Sequence, residues 1–230
     1  MKIIILGDIH GDFQVINYLV ETEQPDIIIQ CGDFGYWPRK NGWPPNDPQL
    51  KLGNTKLYWC DGNHEDHESL AKIASSGELE VAPNCFYQPR GSIFTLPDKR
   101  TVLFFGGADS TDKESRKEGD SWFSGEIPTV ADFDKLAPNI HIDIVVSHTC
   151  PKSFNLRQAA PLGYRKSSWL AKADDPTRDI LDLILRQYSP AQWFFGHFHI
   201  HQTDKFENTV WTALAIPMED EEIWWVELKQ

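Results

Sequence analysis

Residues 2–33 read KIIILGDIHGDFQVINYLVETEQPDIIIQCGD and hold three elements in a row. Positions 2–6 form a continuous apolar run, which predicts a strand buried on both faces. Positions 12–21 set Phe13, Ile16 and Val20 at helical spacing, and 26–30 return to a buried strand. Strand, helix and strand in this order make the βαβ unit of an α/β fold. Polar residues appear where each strand stops: Asp8 and His10 after the first, Asp33 after the second. Strand C-termini are where α/β proteins place their sites.

The same apolar pattern recurs at 55–60, 101–105 and 142–146, with helices expected at 65–75, 129–137 and 177–187. Beyond 191 the chain reads as strands: QWFFGH, a run through 205–215, and EEIWWVEL. Periodicity thus predicts an α/β chain with a β-rich C-terminal half. There is no internal repeat, and 230 residues fit a single domain spanning 1–230.

Five short blocks sit at predicted strand ends: Asp8-Ile9-His10, Gly32-Asp33, Gly62-Asn63-His64-Glu65, Ser147-His148 and Gly196-His197-Phe198-His199. One Asp-x-His means little, and Asn63 alone suits a turn. The ordered set of carboxylates, amide and imidazoles points to metal ions. Mixed Asp/His/Asn donors suit first-row divalent metals, whereas an all-oxygen cage for calcium or magnesium needs no histidines. Two such ions activate a bridging water and clamp phosphoryl oxygens, which is what phosphate-ester hydrolysis requires.

The blocks D-x-H, G-D, G-N-H-D/E, a later H, and G-H-x-H resemble the calcineurin-like metallophosphoesterases, in particular bacterial and phage-type members. The resemblance covers Asp8 to His199. It implies an αββα sandwich, two packed mixed sheets flanked by helices. It also implies that Asp8, His10 and His199 hold one metal, that Asn63, His148 and His197 hold another, and that Asp33 bridges them. His64 would be no ligand but the proton donor, with a bridging hydroxide as nucleophile. Manganese is the foremost metal, with iron, zinc, nickel or cobalt as alternatives. The related protein serine/threonine phosphatases carry G-D-x-x-D-R-G at the second block. Here Asp33 is followed by Phe34-Gly35-Tyr36-Trp37, which ranks that activity second. The G-H-x-H block leans toward phosphodiesters, nucleotides and small phosphomonoesters as partners. A non-catalytic scaffold on this fold would lose ligands or the donor histidine, and all eight positions are chemically competent here.

Three loop insertions stand apart. Segment 34–50 holds Phe34, Tyr36, Trp37, Trp43 and Arg39, with four prolines and two glycines that exclude a helix. Its aromatics either wall the site or pack on themselves, and Arg39 is a candidate substrate contact. Segment 107–126 holds Arg116, a candidate phosphate fork, within a loop whose other reading is internal salt bridging. Segment 152–172 holds Lys152, Arg157, Arg165, Lys166 and Lys172 with no Asp or Glu. Arg157, Arg165 and Lys166 are candidate substrate contacts in a flap, or belong to a solvated lid.

The formal charge of −12 argues against stable duplex-DNA binding. No run approaches the ~20 apolar residues of a membrane span. The N-terminal apolar run is too short for a signal peptide, so a cytoplasmic enzyme is expected. Cys31, Cys60, Cys85 and Cys150 lack CxxC spacing and are expected as core packing without disulfides. The nine scattered tryptophans are expected to pack likewise. His67, His141 and His201 are expected as satisfied core histidines, His201 also as a neighbour of His199 on a shared strand face. Oligomeric state is left open.

Overall fold

The computed structural model describes residues 1–43, 49–157, 175–217 and 223–229. The opening run folds as β1 (Ile3–Leu6), α1 (Phe13–Glu23) and β2 (Ile27–Gln30). Every residue of both strands is buried. Side chains alternate in direction along a strand, so Ile3 and Ile5 face one core while Ile4 and Leu6 face another. Asp12 caps α1 by accepting from the Gln14 N–H at 3.2 Å. The helix ends at Gln24 in a left-handed conformation, just before Pro25.

The remaining strands are β3 (Lys56–Trp59), β4 (Glu80–Ala82), β5 (Cys85–Tyr87), β6 (Ile93–Thr95), β7 (Thr101–Phe105), β8 (Ile144–Ser147), β9 (Gln192–Phe195), β10 (Gln202–Phe206), β11 (Thr209–Ala213) and β12 (Trp225–Glu227). They build two six-stranded sheets, in the orders β12-β1-β2-β3-β5-β4 and β10-β11-β9-β8-β7-β6. Each sheet has four parallel central strands and an antiparallel strand at either edge. Both are therefore mixed, as expected.

Three apolar layers hold the sandwich. Between the sheets, Ile3, Ile5, Ile27 and Ile29 meet Val102, Phe104, Ile144 and Val146. Outside the first sheet, α1 and α3 (His67–Ser76) bring Phe13, Ile16, Leu19 and Leu70 onto Ile4, Leu6, Leu57 and Trp59. Outside the second, α5 (Pro176–Tyr188) packs Ile180, Leu181, Ile184 and Leu185 onto Leu103, Val145, Trp193 and Phe195.

Several expectations need correction. A one-turn helix, α2 (Pro38–Asn41), does form in the proline-rich loop, because a proline at the first helical position has no N–H to lose. The helix expected over 129–137 stops after one turn, α4 (Val130–Phe133). Its capping box of Thr129 and Asp132 starts it, and Pro138 disfavours its continuation. The run 205–215 is two antiparallel strands, split where Glu207 turns at positive φ. The short strands β4, β5 and β6 carry too little apolar pattern to be seen in sequence. All four cysteines are free and buried. Among the described residues no helix is long and apolar enough to cross a membrane.

The inter-sheet layer generates a stability prediction. Phe104→Ala should cost about 3–5 kcal/mol in urea unfolding, because Phe104 is fully buried between the sheets. Val210→Ala, at a position 42% exposed, should stay within about 0.5 kcal/mol. Similar losses for the two variants would contradict this layer order.

Candidate metal centre

Five loops leave the C-terminal ends of parallel strands and converge. Asp8 and His10 follow β1, Asp33 follows β2, Asn63 and His64 follow β3, His148 follows β8, and His197 and His199 follow β9. The first three strands belong to one sheet and the last two to the other, so the site closes across the sandwich. The loops bond one another: His10 N–H donates to the Asp33 carbonyl at 2.8 Å, and Gly196 N–H to the His148 carbonyl at 3.0 Å. His10, Asp33, His197 and His199 all have positive φ. That region is uncommon for non-glycine residues, and such strain gathers at functional sites.

Glycines let the chain pass hard against the carboxylates. A Cβ at Gly196 would overlap the Asp8 carboxylate, and one at Gly62 would overlap that of Asp33. Asp8 accepts the His197 N–H on both oxygens, at 3.0 and 2.9 Å. Asp33 Oδ1 accepts the His64 N–H at 2.8 Å.

The donor atoms fall into two groups around Asp33. On one side His199 Nε2 lies 3.2 Å from Asp8 Oδ2 and 3.1 Å from His10 Nε2. His10 Nδ1 lies 3.7 Å from Asp33 Oδ2. On the other side His148 Nε2 lies 3.0 Å from Asn63 Oδ1, 3.2 Å from His197 Nδ1 and 3.4 Å from Asp33 Oδ1. The two oxygens of Asp33 thus face opposite groups.

The second group has its donors aimed from behind. His148 Nδ1 lies 2.9 Å from the Cys31 carbonyl, a contact that places its proton on Nδ1 and turns the Nε2 lone pair inward. Asn63 Nδ2 donates to Ser110 Oγ at 3.1 Å, so its Oδ1 also points inward. Oxygen and imidazole lone pairs facing each other at hydrogen-bond distance suit a shared cation. Burial opposes charge on His148, yet Asp33 and Asp8 pull its pKa up to about 10. Any cation placed there feels the same attraction. His197, by contrast, is driven well below the ordinary imidazole range by burial and by neighbouring His148. The Asp and His side chains are positioned for metal binding.

His64 stands at the rim, half-buried, its ring 5.1 Å from that of His10 and edge-on to it. Burial is the main cause of its lowered pKa. One of its ring nitrogens also lies within 4.8 Å of donor atoms of His10 and Asp33, close enough to share an ion with them. Arg116 reaches the site, its Nη2 lying 2.9 Å from His64 Nδ1 and 2.6 Å from Nε2. Loop 107–126 is also internally salt-bridged, through Lys113–Asp109 and Arg116–Asp112.

Other candidates lie elsewhere. Arg39 is committed to Asp66 and Glu68, with contacts of 2.6 Å to each, and it braces the start of α3 rather than a substrate. Phe34, Tyr36 and Trp43 pack with Phe13 and Trp59, so they belong to the core; Trp37 is half-buried beside Lys40 and Phe123. Arg157 is exposed, and its backbone N–H donates to Gln202 Oε1. Lys152 pairs with Asp179 of α5 at 2.7 Å, so this end of the basic segment meets acid from outside it. Arg165, Lys166 and Lys172 lie outside the described residues. His67 is buried, but among the described residues its Nε2 has no hydrogen-bond partner, and burial lowers its pKa to about 4. His141 is no core residue: it is 81% exposed and pairs with Asp143. His201 precedes β10 and is half-buried, so it shares no strand face with His199.

The site is braced by residues that carry no mark of this role in the sequence. Glu65 is wholly buried and receives the N–H groups of Gly35 and Gly62, at 3.0 and 2.6 Å. Arg90 joins Asp61 to the Gly125 and Glu126 carbonyls. Glu126 receives the Ser110 N–H at 2.6 Å. One signal was available: Gly106-Gly107 ends β7 as Gly32, Gly62 and Gly196 end their strands.

Residues 1–201 match the family described as calcineurin-like phosphoesterase. The chain is similar to a lariat debranching enzyme of Schizosaccharomyces pombe, 24% identical over 224 residues. That match covers 86% of this chain and 48% of the relative, so the chain spans about half the relative's length. Among solved structures it resembles the protein TT1561 of Thermus thermophilus, with a TM-score of 0.57 at 12% identity, covering 94% of this chain and 89% of that one. It also resembles the phosphopantetheinyl hydrolase PptH of Mycobacterium tuberculosis, with a TM-score of 0.50 at 14% identity, covering 99% and 95%. At these identities the structural likeness speaks for the fold.

Gly196→Ala should push the Asp8 carboxylate out of place. Metal affinity, measured by titration with Mn²⁺, should fall about 10–100-fold, as when a ligand's support is removed. Unchanged affinity would show that this close approach does not position Asp8.

Proposed function

Since the chain belongs to the calcineurin-like phosphoesterase family, we propose that it hydrolyses phosphomonoester or phosphodiester bonds of a nucleotide or small phosphorylated substrate, with two divalent metals, manganese foremost. The observation that carries this reading is the pair of donor groups meeting at Asp33: Asp8, His10 and His199, with His10 Nδ1 3.7 Å from its Oδ2, and Asn63, His148 and His197, with His148 Nε2 3.4 Å from its Oδ1. When bound, the metals supply a water of lowered pKa and positive charge for the phosphoryl oxygens.

The chain's own residues do the rest. Asp33 holds the two groups together through one carboxylate. The Cys31 carbonyl and Ser110 hydroxyl keep His148 and Asn63 turned inward. His64, beside the cluster but on its rim, delivers a proton to the departing ester oxygen. A chain of net charge −12 attracts an anion through local charge at the site, not through its overall field.

Chelator-treated protein should be inactive and recover with Mn²⁺; full activity after verified metal removal would sink the proposal. Asp33→Asn should weaken both metal sites. His64→Ala should retain its metal and lose turnover by about 10²–10⁴-fold. That loss should shrink for nitrophenolate leaving groups, which need little protonation. Equal losses on good and poor leaving groups would remove His64 from the donor role.

A further inference from the structure

Arg116 sits on the loop between β7 and β8, just after the 3₁₀ turn Lys113–Ser115. Its side chain is only 10% exposed. A guanidinium is planar, permanently charged and donates only. The edge formed by Nε and Nη2 is held by Asp112 Oδ2, at 2.8 and 2.7 Å. The opposite edge, Nη1 and Nη2, faces Ser110 Oγ at 3.4 Å and the His64 ring. Neither neighbour suits that edge. The hydroxyl contact is long, and an imidazole offers at most one lone pair where the fork presents parallel N–H groups. The acceptor matched to this edge is a pair of phosphate or carboxylate oxygens.

The arm is also aimed. Asp112 holds it from behind, and Ser110 touches both Arg116 and Asn63. Ser110 is in turn fixed through its N–H by buried Glu126. Anchored in this way, the cation stands beside the proposed proton donor, where the leaving oxygen of an ester would lie.

We infer that Arg116 is a substrate-binding residue whose Nη1–Nη2 edge takes phosphoryl oxygens of the bound ester, and that it contributes more to doubly charged phosphomonoesters than to singly charged diesters. This rests on the phosphoesterase reading above. The charge dependence follows from the substrates. A phosphomonoester carries about −1.5 to −2 charge at pH 7, spread over three oxygens. A diester has one negative charge over two. Substrate entry exchanges the His64 contact of Arg116 for a better acceptor.

The test compares wild type, Arg116→Gln and Arg116→Lys, each loaded with Mn²⁺ and checked for metal content. Three readouts are taken: inhibition by inorganic phosphate, kcat/KM on 4-nitrophenyl phosphate, and kcat/KM on bis(4-nitrophenyl) phosphate. Arg116→Gln should keep its metal and bind inorganic phosphate about 10–100-fold more weakly, the usual loss for a charged hydrogen bond. Its monoester kcat/KM should fall by a similar factor and its diester kcat/KM by clearly less. Added guanidinium ion should restore part of the monoester rate. Arg116→Lys, which keeps charge without the fork, should fall between the two. Unchanged phosphate binding, or equal losses on the two esters, would overturn the assignment. If Arg116→Gln fails to fold, Arg116→Lys decides alone: wild-type values on all three readouts would overturn it. A wild type that turns over neither ester and binds no phosphate would instead overturn the phosphoesterase reading on which the inference stands.

Discussion

Two carboxylates, Asp8 and Asp33, are buried together at the ends of neighbouring parallel strands, and the rest of the site follows from them. An isolated buried carboxylate costs several kcal/mol, and two close together repel as well. This protein answers with backbone N–H groups on each carboxylate and a wall of imidazoles. The attraction raises the His148 pKa despite complete burial. The same field favours a cation placed among these Asp and His side chains.

Holding charges this close requires a rigid frame, which the two sheets provide. Parallel strands deliver their C-termini to one edge, and the inter-sheet layer fixes the two edges against each other. Glycines at the strand ends remove the side chains that would keep loop and carboxylate apart. Left-handed backbone at four of the donors bends each loop sharply enough to turn back over the site. Strain of order 1–3 kcal/mol at each such residue is sustained because the sandwich beneath it is well packed.

Loop 107–126 adds a second tier. Asp61 and Arg90 form a buried ion pair that also grips the Gly125 and Glu126 carbonyls, and Glu126 grips Ser110. Breaking such a pair is far more costly than lacking it, so the loop is anchored at both ends. Asn63 and Arg116 then meet at one hydroxyl. A donor to the proposed metals and a cation suited to the substrate are therefore aligned by the same support.

The sequence by itself determined the strands that carry the site and the motif residues that end them. A strand buried on both faces must be apolar throughout, and a ligand must be Asp, His or Asn; both demands are local and leave a mark in residue type. The tertiary structure alone decided the rest. Arg39 and Arg116 look equally available in the chain, yet one is bound to Asp66 and Glu68 and the other reaches His64. Phe34, Tyr36 and Trp43 look like pocket aromatics but fill the core beside Phe13 and Trp59. Asp61, Arg90, Ser110 and Glu126 gain their meaning only from partners far along the chain. Where a side chain finds its partner depends on how loops from different strands meet, and nothing in local periodicity encodes that.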